Sequence, residues 1–135
     1  MYIVLAQRLE ANSGYLDQLF KIYHYPSKYK NQIHEGDFFI YYQYDLKNSG
    51  TRCYFGSGEI GAIEQGNDNT YYANLTNCNE FNYKVPVYLE EIGYVEKYTP
   101  TPQETLVTPA WRNSIRVITE DAYNFIIQKG TLNLS

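Results

Sequence analysis

Long apolar runs are missing from this chain. No stretch of about 18 apolar residues occurs, so the sequence predicts no membrane-spanning helix and no membrane partner. Met1 to Leu9 hold no basic segment followed by a long apolar core, so they do not read as a secretory signal, and a cytoplasmic location is expected. Cysteine is scarce. Cys53 and Cys78 read as free, part-buried thiols in a reducing compartment, with a disulfide or a metal pair as the alternatives. There is no C-x-x-C and no H-x-x-x-H, so neither a zinc site nor a cofactor is expected. Histidine is limited to His24 and His34, and neither lies near a nucleophile signature such as G-x-S-x-G. Gly56-Ser57-Gly58 lacks the Lys of a phosphate loop and falls inside a predicted strand. Glu90-Glu91 sits in an acidic, solvated stretch and is not read as an acid–base pair. These gaps argue against an enzyme.

Positive charge is also in deficit. Lys plus Arg number 11 against 15 Asp plus Glu, a net charge of −4. Phosphate contacts dominate nucleic-acid affinity, so a general nucleic-acid binder is disfavoured. The basic residues are clustered, however: Lys21, Lys28 and Lys30 in one stretch, Arg112 and Arg116 in another. Local basic patches on an acidic domain remain open.

What the chain has in excess is aromatic: 16 Tyr, 6 Phe and 1 Trp, or 17% of 135 residues. Tyr joins an apolar ring to a polar tip, which suits surfaces and pockets that are part greasy and part wet. With 44% hydrophobic and 19% charged residues, the composition is that of one folded domain, read as residues 1–130 with 131–135 as a tail or linker.

Tyr2 to Ala6 predicts a buried first strand. Tyr15 to Tyr23 places Leu16, Leu19, Phe20 and Tyr23 on one helical face, with Pro26 beyond it. Asp37 to Tyr44 is apolar on both faces and predicts a central strand. Cys53 to Ile63 predicts another, its Gly56, Gly58 and Gly61 marking bulges or corners. Thr70 to Leu75 and Ser114 to Ile118 predict further strands, and Phe81, Val85 and Val87 are expected in the core. Thr119 caps a closing helix whose apolar face is Tyr123, Phe125, Ile126 and Ile127, with Gly130 ending it. The fold class is α+β: a small curled sheet or barrel with flanking helices.

Three aromatic pairs, Tyr41-Tyr42, Tyr54-Phe55 and Tyr71-Tyr72, each send one ring to either face of a strand. Such rings fill a core or wall a slot for a flat ligand. Pro109-Ala110-Trp111-Arg112-Asn113-Ser114 joins the sole Trp to an unusual density of hydrogen-bonding groups. A planar base stacked on rings and read along its edge uses this inventory.

Tyr25-Pro26-Ser27-Lys28-Tyr29, Gly36-Asp37-Phe38-Phe39-Ile40-Tyr41-Tyr42 and Tyr54-Phe55-Gly56-Ser57-Gly58-Glu59-Ile60-Gly61 together resemble a known module. Tyr72-Ala73-Asn74-Leu75, Val85-Pro86-Val87 and Asn113 to Tyr123 continue the likeness over about residues 1 to 128. The chain resembles the EVE-like branch of the PUA superfamily, relatives of YTH and SRA readers, as found at the N-terminus of modification-dependent restriction proteins with an HNH nuclease. The resemblance implies a small β-barrel that holds a flipped, modified base of double-stranded DNA, a modified cytosine or methyladenine, in an aromatic pocket. It implies a role in type IV restriction and phage defence, with cleavage supplied by a fused or partner nuclease, because no His-Asn-His constellation occurs here.

Tyr42 and Gln43 match the end of a family strand that contributes to the pocket, and Trp111 and Arg112 match the segment before the final strand; on that reading Tyr41 or Tyr42, with Trp111, would stack on the base, with Tyr54 also in the pocket. Gln43, Asn113 and Ser114 would read the base edge. Lys28, Lys30, Arg112 and Arg116 would meet phosphates, and Gly56 and Gly58 would let nucleic acid approach the backbone. Stacking is worth about 1–3 kcal/mol per base and flipping costs a few, so discrimination must come from the added group. The Tyr hydroxyls and Asn amides favour a polar modification. The alternatives are an RNA-modification reader, or a protein-interaction or small-ligand-binding domain on the same scaffold.

Overall fold

The computed structural model describes residues 1–8, 19–44, 52–100 and 108–131. In chain order the strands are β1 (Tyr2–Arg8), β2 (Ile22–Pro26), β3 (Phe38–Tyr44), β4 (Cys53–Gln65), β5 (Thr70–Pro86), β6 (Tyr88–Leu89), β7 (Gly93–Tyr94) and β8 (Ile115–Ile118). Helix α1 (Glu120–Thr131) follows. Six strands form one sheet in the order β2-β5-β4-β3-β1-β8, and β6 and β7 pair apart from it. Among the described strands, β1 and β3 pair in parallel and every other pair is antiparallel. The architecture is a curled half-barrel with one helix on its outer face, a coarser form of the expected α+β barrel.

The two-sided apolar run of β3 lands where such a run is most favoured, between β1 and β4. Phe39 and Tyr41 point into the hollow of the sheet with Ile3, Leu5, Tyr25, Phe55 and Ile115. Ile40 and Tyr42 point outward with Val4, Tyr54, Phe81, Val85 and the α1 residues Ala122 and Ile126. The sheet therefore carries a core on each face.

Curvature comes from the long β4–β5 hairpin. Its register slips between Tyr54 and Gly56, Ser57 and Glu59, and Ile60 and Ile63. Gly56, Gly58 and Gly61 fall in or beside these slips, as the glycine spacing predicts, and each slip adds bend.

The sheet edges β2 and β8 share no ladder among the described residues. Two tyrosine tips span the gap. Tyr23 Oη donates to the carbonyl of Ala6 at 2.9 Å, and Tyr29 Oη accepts from the Ser114 N–H at 2.8 Å. Tyr41 does the same with the Phe20 N–H: in each case the ring is in the core and the hydroxyl is on a backbone group.

Three expectations need correction. The helical face over Tyr15 to Tyr23 is not continued at its C-terminal end: Phe20 has φ +62° and Ile22 begins β2, paired with β5 from Ile22↔Asn74 to Pro26↔Thr70. Alternate burial of Tyr23 and Tyr25 fits period two, and pairing with β5 decides the matter. Residues 15–18 of that expected helix lie outside the described residues. The strand foreseen at Thr70–Leu75 continues to Pro86. Gly130 does not end α1 but lies within it, buried against Phe81, where a Cβ would stand 2.3 Å from the ring. The expected cap holds: Thr119 Oγ1 accepts from the Ala122 N–H at 3.1 Å. Among the described residues α1 is the single α-helix.

Tyr25 is 1% exposed, and burial, with Tyr71 beside it, pushes its hydroxyl up to about 12. Burial, then the charge of Glu96, raises Tyr54 as well. The unfolded chain releases these protons near pH 10, before the folded chain does. Stability is therefore intact below about pH 10 and falls as pH rises towards 12. Urea midpoints should drop between pH 9 and pH 11.5, and Tyr25→Phe should flatten the fall. An unchanged midpoint across that window contradicts the assignment.

Candidate functional site

Trp111 belongs to an aromatic and cationic network on the α1 side of the sheet. Its ring stacks on Tyr42 of β3, with centroids 5.4 Å apart and planes 27° apart, and meets Tyr94 of β7 edge-on at 6.0 Å. Arg116 of β8 lies over both rings, its Cζ 4.7 Å from Tyr42 and 5.2 Å from Trp111. The register explains the meeting. Tyr42 lies beside Ala6 of β1, whose small side chain leaves the span from β3 to β8 uncrowded.

Arg116 is fixed from below. Glu96, in the turn after β7, accepts from Arg116 Nε at 2.8 Å and from Nη2 at 2.7 Å. Tyr54 Oη donates to the same carboxylate at 2.5 Å. Arg116 Nη1 donates to the Asn113 carbonyl at 2.8 Å, tying down the loop that carries Trp111. The two charged side chains are only 5% and 2% exposed. Burial opposes the Arg116 charge, but hydrogen bonding to Glu96 and the charge of Glu96 outweigh it, so the guanidinium pKa lies above its ordinary value.

The sequence-predicted pocket residues thus divide between two faces. Tyr42, Tyr54 and Trp111 come together on the outer face. Tyr41 is 0% exposed on the inner face, stacked on Phe55 at 5.1 Å and edge-on to Phe20 and Phe39. Gln43 follows on that inner face, 8% exposed, in register with Gln7. Gly56 and Gly58 do admit a close approach, but by the protein's own groups: Phe20 at Gly56, and Phe39 with Cys78 at Gly58. The inner hollow at these positions is filled by aromatic rings.

The expected phosphate contacts differ in kind. Arg112 and Asn113 are exposed on the Trp111 loop, and Ser114 is half-buried. Lys28 and Lys30 are exposed at the short turn after β2, Lys28 with Nζ 5.0 Å from the Tyr29 ring. Arg116 is buried in its pair with Glu96, so its charge is already answered. Besides Tyr94, two charged residues enter that the sequence did not single out. Glu96 sat in a stretch read as solvated, and nothing sets it apart from Glu90 or Glu91 in the sequence. Arg52, half-buried, has its Cζ 5.5 Å from the Trp111 ring. Cys53 and Cys78 carry free thiols, each pushed up by burial, which disfavours the reactive thiolate.

Pairing brings these parts to one end of the sheet. Gln7 lies beside Gln43, Gln43 beside Cys53, and the Ala6 N–H donates to the Ser114 carbonyl at 2.8 Å. The ends of β1 and β3 and the starts of β4 and β8 therefore meet, with Arg52 and the Trp111 loop at their border. Compared with protein-family models, curated proteins and solved structures, the chain matches none.

Proposed function

We propose that this domain is a nucleic-acid reader of the EVE-like, PUA-superfamily kind, which takes an extruded modified base against Trp111 and directs a nuclease carried by another domain or partner. The observation that carries the reading is the half-exposed indole at one end of the sheet, with Arg52 beside it and the exposed Arg112 and Asn113 on its own loop. Stacking surface, edge-reading polar groups and cations are the three things a flipped nucleotide needs. Tyr42 and Trp111 already touch, so a base stacks on the indole from outside and not between the two rings. Tyr42 and the Arg116–Glu96 pair then act as the backing that holds the indole in place.

The test is calorimetric titration of the chain with duplexes carrying plain, methylated, hydroxymethylated or glucosylated cytosine, or methyladenine, at two salt concentrations. A modified duplex should bind most tightly, with affinity falling as salt rises. Base stacking contributes about 1–3 kcal/mol, so Trp111→Ala should weaken that binding about ten- to hundredfold and erase selectivity. Equal binding to every duplex, or selectivity that survives Trp111→Ala, defeats the reading. The same series made as RNA decides between the two nucleic acids.

One observation favours a second reading. A groove of about 390 Å³ lies between α1 and the β4–β5 hairpin, lined by Ser57, Glu59, Asn77, Asn79, Glu80 and Tyr123 among others, with no Lys or Arg among the described residues of its lining. With the net charge of −4, that groove suits a small polar ligand or a protein segment better than a phosphate backbone. Absence of binding to every nucleic acid tried would shift the assignment to it.

A further inference from the structure

Two guanidinium groups approach the Trp111 indole, and they are in opposite states. Arg116 has Nε and Nη2 on Glu96 and Nη1 on the Asn113 carbonyl. Its charge is balanced and its hydrogen bonds are made. Arg52 pairs with no carboxylate among the described residues, and its Nε is buried without an acceptor. The contact that places it is the one with the indole, at 5.5 Å.

An orphaned N–H beside an unbalanced positive charge is costly for a domain to keep. It is well suited to a ligand that brings two acceptor oxygens and negative charge. The Nε–H and one Nη–H of a guanidinium form a parallel pair that matches two oxygens of a phosphate. A cation resting on a half-exposed ring is weakly held. A base arriving on the indole displaces it, and the nucleotide's own phosphate arrives with that base. Arg112 is exposed on the same loop and adds positive charge nearby.

We infer that Arg52 is the phosphate-contacting residue of the Trp111 site, resting on the indole in the free domain and passing to a phosphate of the bound nucleotide. This inference rests on the nucleic-acid reading above. It moves the central phosphate contact from Arg116, which is committed to Glu96, to Arg52.

Trp111 is the chain's single Trp, so its emission reports on the site directly. The chain is titrated with 5-hydroxymethyl-2′-deoxycytidine, its 5′-monophosphate, unmodified deoxycytidine 5′-monophosphate, and inorganic phosphate. The modified monophosphate should bind at least about tenfold tighter than its nucleoside, the gain of a bidentate charged contact. Arg52→Gln should abolish that gain without moving the thermal midpoint, and Arg52→Lys should restore part of it. A gain that persists in Arg52→Gln overturns the inference. Nucleoside discrimination with no phosphate gain in the wild type overturns it too, while sparing the reader. A phosphate gain lost in Arg52→Gln but equal for modified and unmodified bases upholds Arg52 and defeats modified-base reading. No response to any of the four at millimolar concentration defeats both.

Discussion

Glu96→Leu should destabilise the domain by about 3–5 kcal/mol, read from urea denaturation. The reason is the charge left behind. Glu96 takes two N–H groups of Arg116 and the hydroxyl of Tyr54, all under the outer core. Leu fills a similar volume, so little of the loss is cavity. The cost is a guanidinium buried without a counter-charge and a Tyr54 hydroxyl without its acceptor. Replacing both partners, Glu96→Leu with Arg116→Met, removes the stranded charge and should recover most of the loss. The rescue should not extend to the indole. Arg116 also holds the Asn113 carbonyl and lies over Tyr42 and Trp111, so the double variant should fold yet show altered Trp111 emission. A loss below about 1 kcal/mol in the single variant would mean that the pair is not desolvated as described.

How far the sequence reveals this arrangement depends on the residue. The position of β3 was readable because an apolar run on both faces has one low-energy place, the middle of a sheet. The Thr119 cap and the bends at Gly56, Gly58 and Gly61 were readable because each rests on local chemistry. Tyr23 was not, because Leu19, Phe20 and Tyr23 fit a helical stripe while Tyr23 and Tyr25 fit strand alternation, and only the β5 partner separates the two. Gly130 is ambiguous for a related reason: a glycine late in a helix serves equally as a terminator or as a seat for a ring, and Phe81 lies far away in sequence. That Tyr41 and Tyr42 take opposite faces follows from strand geometry alone, but which of them meets Trp111 is a tertiary fact. The burial of Glu96 is the hardest case. Its partner Arg116 carried the only hint, a charged residue between Ile115 and Val117 on a short apolar strand.

The division between the faces gives the last prediction its force. Tyr41 was a candidate for base stacking, yet its ring is enclosed by Phe20, Phe39 and Phe55, and its hydroxyl accepts from the Phe20 N–H at 3.1 Å. Tyr41→Ala should therefore cost about 3–5 kcal/mol, the range for deleting a large buried ring, because Phe39 on β3 and Phe55 on β4 are held by the sheet and refill little of the space. Tyr41→Phe keeps the ring but strands the Phe20 N–H, at a cost of about 1 kcal/mol. Trp111→Ala, half-exposed on the other face, should cost clearly less in stability while abolishing selectivity. Chemical denaturation of the three variants, set beside their binding, separates scaffold from site. If Tyr41→Ala folds as well as the wild type and it is binding that fails, the inner hollow is the ligand slot after all, and the indole on the outer face is scaffold.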